Sequence, residues 1–389
     1  MIYLDNAAST QIHEDVLDSM LPYLKEQYGN PSSIHRYGRL ARKAIEKARK
    51  QIALLINADP SEILITSGGT ESNNTVLSGI AMNNTSNKII TSLIEHDAIL
   101  EPCKKLTQNG MVVDYLPVNH FGKIDPLELK NHLSDDTCLV SIMFGNNEVG
   151  TVQQISEIAK ICNKQKIPFH TDAVQAVGKI PINVKKLGID LLSISSHKLH
   201  GPKGIGALYI KNGTDIDPMI LGGGQEFGLR SGTENVANIV GFGKACEIAK
   251  NNLDQNISYV KKLRDILIEK ILHEIPEVTL NGDPQSRLPN NAHFTFLGVN
   301  GEDLIIKLDE YGIAASTGSA CSVNTQRASH VLQAMGFSHE QITGSLRLTM
   351  GIFNNEKEIE QTVDSLKIIV EELRSFSPFK EKYSFTSRI

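Results

Sequence analysis

Two serines, a histidine and a lysine stand together in the segment Ser195-Ser196-His197-Lys198. An apolar run, 191–194, predicts that a buried strand ends there, and the Gly and Pro residues at 201–204 predict an irregular loop afterwards. Because burial lowers the pKa of a lysine, such an amine can form a Schiff base, and the neighbouring hydroxyls and imidazole suit a phosphate. We therefore predict that Lys198 binds pyridoxal phosphate (PLP); a solvated loop lysine is the alternative reading of this segment alone.

A second anion site is predicted at Ser67-Gly68-Gly69-Thr70, between a strand and a helix. Glycines let the backbone approach an anion, and the start of a helix directs free N–H groups at it. Thr70 would add a hydroxyl. The alternative is a glycine-rich turn in which Thr70 caps the helix.

Several polar residues follow the predicted strands, where ligands collect in open α/β sheets. Asp172 could pair with the cationic ring nitrogen of PLP and Gln175 could donate to the ring oxygen, although Asp172 could instead cap a helix. His96 could stack on the ring and move protons, or be a core histidine. Asn147 could orient a substrate carboxylate or the ring oxygen, or stand in a turn.

Three later segments add candidates. Thr233, in a polar stretch after three glycines, could donate to a phosphate. Arg347 lies between apolar neighbours and could bind a substrate carboxylate or form a structural salt bridge. Cys321 lies in a small, polar loop that we expect to be mobile, whereas the other four cysteines lie among apolar or helical residues and are predicted to be inert.

The elements that must position these residues alternate between short apolar strands and helix-length segments. Helices are predicted around Val16–Leu24 and from Tyr37 to Ile56, and a long helical stretch from Ala237 to Ile275. The pattern predicts an α/β fold with a largely parallel sheet and one antiparallel neighbour, followed by a smaller α+β C-terminal domain. The predicted strands of the main sheet are Ile63–Thr66, Lys88–Ile90, Val112–Leu116, Leu139–Met143, Ile167–His170, Leu191–Ser195 and Gly206–Ile210.

The bulk composition excludes several classes of protein. With 389 residues, two domains are expected, and a net charge of −5 without a long basic run argues against direct nucleic-acid binding. The N-terminus does not resemble a signal peptide, and no apolar run is long enough for a bilayer. Five scattered cysteines without CxxC spacing indicate a reducing compartment, which we expect to be the cytoplasm, with no intrinsic metal site.

Taken in order along nearly the whole chain, these segments resemble a cysteine desulfurase of the iron–sulfur-assembly type, with the aspartate-aminotransferase-like fold (PLP-transferase fold type I). The motifs that carry the resemblance are Tyr3-Leu4-Asp5-Asn6-Ala7-Ala8, Gly29-Asn30-Pro31-Ser32-Ser33, Ser67-Gly68-Gly69-Thr70-Glu71-Ser72, Glu95-His96, Asn146-Asn147-Glu148, Thr171-Asp172-Ala173-Val174-Gln175, Ser196-His197-Lys198, Arg230-Ser231-Gly232-Thr233 and Gly318-Ser319-Ala320-Cys321.

The resemblance implies a mostly parallel seven-stranded sheet in a large domain, residues 13–255, and a small domain, residues 1–12 and 256–389, that carries the cysteine loop. It implies that Cys321 takes the sulfur of L-cysteine as a persulfide, leaving alanine, and can bind a transient iron–sulfur cluster. The implied catalytic residues are Lys198, Cys321, His96 and Asp172. The implied cofactor-binding residues are Gly69, Thr70, His96, Asn147, Asp172, Gln175, Ser195, Ser196, His197, Lys198 and Thr233, and the implied substrate-binding residues are Asn147 and Arg347.

The implied partners are a second copy of the chain, whose cofactor phosphate Thr233 would reach, and a sulfur acceptor, either an iron–sulfur scaffold or a tRNA-thiolation enzyme. The residues after the cysteine, 325–329, and the C-terminal tail differ from the best-known members, so the acceptor stays open. Two other hypotheses remain: another PLP enzyme of this fold, such as an aminotransferase or selenocysteine lyase, and a non-enzymatic sulfur-trafficking protein.

Overall fold

The computed structural model describes residues 1–83, 86–318 and 328–376. Strands in these residues form a large sheet, a three-stranded sheet and a short two-stranded pair. The strands are β1 (Ile2–Tyr3), β2 (Ile63–Thr66), β3 (Lys88–Ser92), β4 (Val112–Leu116), β5 (Thr137–Ser141), β6 (Phe169–Asp172), β7 (Leu191–Ser195), β8 (Gly206–Ile210), β9 (Val278–Asn281), β10 (Asn291–Phe296), β11 (Ile313–Ala314) and β12 (Ser345–Thr349).

The large sheet has seven strands in the order β2-β8-β7-β6-β5-β3-β4. Strand β8 is antiparallel to both of its neighbours, and the remaining pairs are parallel. Because only a short loop joins β7 to β8, β8 must turn back beside β7, whereas the parallel strands are joined by longer crossovers. The predicted α/β fold, with its mostly parallel sheet and one antiparallel neighbour, is confirmed.

Two strands lie at slightly different positions from those predicted. The strand predicted at Leu139–Met143 is β5 (Thr137–Ser141), and the one predicted at Ile167–His170 is β6 (Phe169–Asp172). Apolar residues at 142–144 are buried beyond the end of β5, so hydrophobicity alone placed that strand too late. Pro168 has no backbone N–H for a ladder, and β6 begins at the residue after it.

Helices cover the large sheet and surround the smaller one. They are α1 (Glu14–Lys25), α2 (Arg36–Ile56), α3 (Gly69–Asn83), α4 (Asp97–Gln108), α5 (Pro126–His132), α6 (Ile155–Lys164), α7 (Val184–Leu187), α8 (Val236–Asn251), α9 (Leu253–Glu274), α10 (Gly301–Glu310), α11 (His330–Ala334), α12 (His339–Thr343) and α13 (Glu356–Ser375). The predicted continuous stretch from Ala237 to Ile275 is two helices, because the chain leaves helical geometry at Asn252, which caps α8. No helix among the described residues has the length and apolar character needed to cross a membrane.

Two large hydrophobic cores accompany the two sheets. One packs α1, α2, α6 and α8 against the large sheet. The other packs α9, α10 and α13 against β9, β10 and β12 and includes Leu4 from the N-terminus. The parallel pair of β1 with β11 attaches the N-terminal segment to this second region. The separate second core supports our division into residues 13–255 and residues 1–12 with 256–389, which we retain as a proposal.

Candidate active site

The loops that follow the parallel strands surround a cavity of about 340 Å³. Most of the residues that the sequence predicted for a cofactor or substrate line this one cavity. They are Gly69, Thr70, His96, Asn147, Asp172, Gln175, Ser195, His197, Lys198 and Arg347. Residues from both regions of the fold thus meet at the carboxyl edge of the sheet, where the topology of open α/β sheets places ligands.

Lys198 ends a 3-10 turn, Ser196–Lys198, directly after β7. Its Nζ donates to the carbonyl oxygens of Ala7 and Ala8, at 2.6 and 2.8 Å. The segment before α1 therefore holds the amine at the cavity wall. An amine in this position can react with a ligand's aldehyde.

Asp172 ends β6 and is buried in the cavity wall. Its Oδ2 accepts a 2.7 Å hydrogen bond from the side-chain amide of Asn73, and its Oδ1 accepts from the backbone N–H of Val174. Both donors orient the carboxylate without supplying a positive charge. A cationic nitrogen in a bound ring would supply that charge. Asn73 was not predicted from the sequence, although it lies one helical turn after Gly69 and so on the same face of α3.

The N-terminus of α3 and the end of β7 form the end of the cavity that the sequence predicted to bind an anion. Gly68 has a φ of 155°, and a Cβ on Gly69 would lie 2.5 Å from a methyl carbon of Val174, so neither position accepts a larger side chain without strain. Burial and the nearby Lys198 lower the pKa of His197 to about 4. The imidazole is therefore neutral at physiological pH, and it contributes a hydrogen bond and no charge.

His96 caps the N-terminus of α4. Its Nδ1 accepts from the backbone N–H of Ala98 at 3.0 Å. A neutral imidazole whose Nδ1 accepts carries its proton on Nε2. The cap thus sets the tautomer of a residue that lines the cavity.

Glu95 is fully buried beside His96. Its Oε1 accepts from the Ser92 hydroxyl and from the backbone N–H of Met143, and its Oε2 has no hydrogen-bond partner among the described residues. Burial raises the pKa of this carboxyl to about 8, so it holds its proton at neutral pH.

Arg347, on β12, connects the two regions of the fold at the cavity. Its Nη2 pairs with Asp5 at 2.9 Å, and its Nη1 donates to the backbone oxygens of Asn147 and Gly318. The structural ion pair, which was the alternative reading of this residue, is present. The side chain also lines the cavity, and its buried Nε has no partner in the part of the chain that the structure describes, so donor capacity remains there for a ligand.

Two predicted cofactor residues lie outside this cavity lining. The Ser196 hydroxyl is buried against Gly201, where a Cβ would lie 2.0 Å from it. Thr233 lines a separate cavity together with Glu226, Arg230 and Glu234. Their assigned roles stay predictions.

Cys321 lies outside the described residues. The chain on either side is held close to the cavity: Gly318 lines it, and the Ser329 hydroxyl donates a 2.5 Å hydrogen bond to Glu148 Oε2. Burial raises the pKa of the Glu148 carboxyl. The four other cysteines are buried free thiols, and burial raises the pKa of each, in agreement with their predicted inertness. These are Cys103, Cys138, Cys162 and Cys246.

Comparison with known proteins places this site in a family. The aminotransferase class-V model matches residues 2–362. The cysteine desulfurase IscS of Dictyoglomus turgidum is 49% identical over 389 residues, which cover 100% of this chain and 99% of that protein. The cysteine desulfurase IscS of Methanosarcina thermophila is 49% identical over 98% of this chain and 95% of its own length.

Solved structures agree with this assignment. A NifS-like protein superposes with a TM-score of 0.90 at 39% identity, covering 95% of this chain and 99% of its own. SspA in complex with cysteine superposes with a TM-score of 0.80 at 35% identity, covering 91% and 100%. The chain belongs to the class-V aminotransferase family, as a member of its cysteine desulfurase group.

Proposed function

We propose that this protein uses PLP to convert L-cysteine into L-alanine and holds the released sulfur as a persulfide on Cys321 for transfer to an acceptor. One observation carries the proposal: the Lys198 amine, the Asp172 carboxylate and the His96 imidazole line the same cavity, beside the N-terminus of α3. The names of the cysteine desulfurase relatives, and a neighbouring structure that contains cysteine, support the substrate.

The residues of the cavity suit PLP in charge and position. Asp172 has two neutral donors and could accept a hydrogen bond from a protonated ring nitrogen, and Gln175 borders the cavity beside it. Gly69, Thr70, Ser195 and His197 form the end suited to the phosphate. When bound, PLP supplies an electron sink for the bonds to the substrate's Cα.

The remaining steps belong to the chain's own residues. Arg347 and Asn147 bind the substrate carboxylate. With Nδ1 engaged in the cap, His96 presents its Nε2–H to the cavity as a donor, and it can take up a proton only when the cap bond to Ala98 is released. The Cys321 thiolate attacks the sulfur of the substrate, the substrate's C–S bond breaks, and the carbon that loses the sulfur is protonated. Alanine and a Cys321 persulfide account for all atoms, and the step is redox-neutral overall.

Thr233 is assigned to the partner's cofactor in a homodimer. Support comes from its place in a cavity distinct from the one that contains Asp172.

The proposed location is the cytoplasm, supported by four free thiols. The acceptor is an iron–sulfur scaffold or a tRNA-thiolation enzyme, and the proposed iron–sulfur contact of Cys321 is transient.

The proposal is tested by feeding purified protein sulfur-labelled L-cysteine and measuring alanine, protein-bound label and visible absorbance. Cys321→Ser is expected to keep the absorbance of the bound cofactor and to lose both alanine formation and label. Lys198→Ala is expected to lose the absorbance as well. Cys162→Ala, which removes a buried thiol of α6, serves as the control.

Alanine formation by Cys321→Ser at the wild-type rate would contradict the proposal and favour another PLP enzyme of this fold, such as an aminotransferase or selenocysteine lyase. Purified protein without visible absorbance, after incubation with PLP, would favour a non-enzymatic sulfur-trafficking protein.

A further inference from the structure

Lys179 is a half-buried lysine that the proposed chemistry does not use. It lies in the loop between β6 and α7, and its Nζ donates a 3.0 Å hydrogen bond to Oε1 of Gln175. Its other surroundings are a second, largely apolar cavity, whose walls include Leu199, Ala245 and Val260. Such walls do not solvate an ammonium group.

No carboxylate forms an ion pair with Lys179 in the parts of the chain that the structure describes. The charges that face it are cationic, from Lys198 and Arg347, and the imidazoles of His197 and His200 are also close enough to be affected by it. Burial, followed by the two cations, lowers the pKa of Lys179 to about 7. An amine at this position costs stability, and that cost needs a compensating role.

The hydrogen bonds of Gln175 indicate what that role is. An ammonium group can only donate, so the Gln175 amide must direct its oxygen at Lys179. Its nitrogen then faces the opposite way, and Nε2 donates to the carbonyl oxygen of Ala7 at 2.9 Å. The same carbonyl oxygen accepts from Lys198 Nζ at 2.6 Å. Lys179 and the Ala7 carbonyl thus favour the same orientation of an amide that lines the cavity.

We propose that Lys179 is a positioning residue that keeps the Gln175 amide turned so that its N–H groups, and not its oxygen, face the cavity. This inference rests on the proposed function, because the oxygen atom of the PLP ring is the acceptor that Gln175 would meet there. With the amide reversed, two oxygen atoms would face each other. Lys179 touches neither substrate nor cofactor and acts through Gln175.

The test is a double-mutant cycle on PLP binding to the apoprotein, measured by calorimetry since the chain has no tryptophan. Lys179→Met is expected to weaken PLP binding about tenfold, the effect of losing a hydrogen bond to a charged group. Gln175→Met is expected to weaken it by a similar factor. The double variant is expected to bind no more weakly than Gln175→Met alone, because Lys179 then has no amide to orient.

Lys185→Met is the matched control, because this surface lysine pairs with Asp59 and borders neither cavity. Lys179→Arg keeps a donor and a charge, so it is expected to bind PLP with an affinity within about threefold of the wild type. This variant keeps the test valid if Lys179→Met does not fold. The inference would be overturned if folded Lys179→Met bound PLP with wild-type affinity. It would also be overturned if the losses of PLP affinity in Lys179→Met and Gln175→Met added up in the double variant, because Lys179 would then act by charge alone. A wild-type protein that binds no PLP would instead contradict the proposed function.

Discussion

The side-chain amide of Asn73 donates a 2.7 Å hydrogen bond to Oδ2 of Asp172, and this contact joins the first turns of α3 to the end of β6. The anion-binding end of the cavity begins on the same helix, at Gly69. The carboxylate and the proposed phosphate site are therefore both positioned by one helix.

Asn73→Ala is expected to weaken PLP binding about tenfold and to lower the melting temperature of the apoprotein, because a buried carboxylate loses a hydrogen-bond donor. Calorimetric titration and thermal unfolding measure the two effects. Asn74→Ala is the control, since its amide donates to the carbonyl of Thr70 at the helix surface. Equal PLP affinities for the two variants would show that Val174 alone holds Asp172.

Arg347→Lys is expected to raise the KM for L-cysteine at least tenfold, with a smaller change in kcat. A lysine cannot hold Asp5 and two backbone oxygens while it also binds a substrate carboxylate, because it lacks the planar guanidinium fork. Steady-state kinetics provide the measurement. An unchanged KM would restrict Arg347 to its ion pair with Asp5.

Glu95→Gln is expected to stabilise the folded apoprotein increasingly as pH rises from 5 to 8. The folded pKa of Glu95 is about 8 and its ordinary value is 4.5, so between these values folding retains a proton that the unfolded chain releases. Wild-type stability therefore falls with rising pH through this group, by up to about 1.4 kcal/mol per pH unit. Urea unfolding at several pH values measures the difference; a difference independent of pH would mean that Glu95 ionises normally.

His170 has the opposite pH dependence. It lies between the hydroxyls of Ser141 and Ser193, and burial lowers its pKa to about 3 from 6.5. The stability associated with its neutral form is complete above pH 6.5 and is lost as pH falls toward 3, because the unfolded chain binds the proton.

In His170→Asn, the free energy of unfolding is expected to decrease less between pH 6.5 and pH 4 than it does in the wild type. Asparagine can place a polar atom where Nδ1 of His170 meets the Ser141 hydroxyl, and it does not titrate. Urea unfolding of the two proteins at these pH values tests this. The control is His273→Asn, because this histidine is exposed. Parallel pH profiles of the free energy of unfolding for the wild type and His170→Asn would refute the effect.

Motif order along the chain was enough to predict the fold class and the composition of the cavity. Local residue types identified Lys198, Asp172 and His96, because a strand end, a glycine-rich turn and a polar side chain are each recognisable over a few positions. The same reasoning placed β5 two residues too late, since burial continues past the end of hydrogen-bond pairing, and placed β6 two residues too early, since Pro168 has no N–H for the ladder.

Other features depend on contacts between residues that are distant in the chain. Asp5 pairs with Arg347, and Ser329 bonds Glu148, so neither partnership follows from local pattern. Arg347 could equally have lacked an acidic partner, because hydrophobic neighbours in sequence do not specify which carboxylate reaches a guanidinium.

The sequence by itself determined which groups are available for chemistry and which elements carry them, because helix and strand periodicity and turn residues act over short distances. Only the tertiary structure decided how those groups are oriented: the Asn73 amide on Asp172, the Gln175 amide on the Ala7 carbonyl, and the Lys198 amine on the carbonyls of Ala7 and Ala8. Hydrogen-bond direction and desolvation depend on all the atoms packed around a group, and these come from strands and helices far apart in the chain.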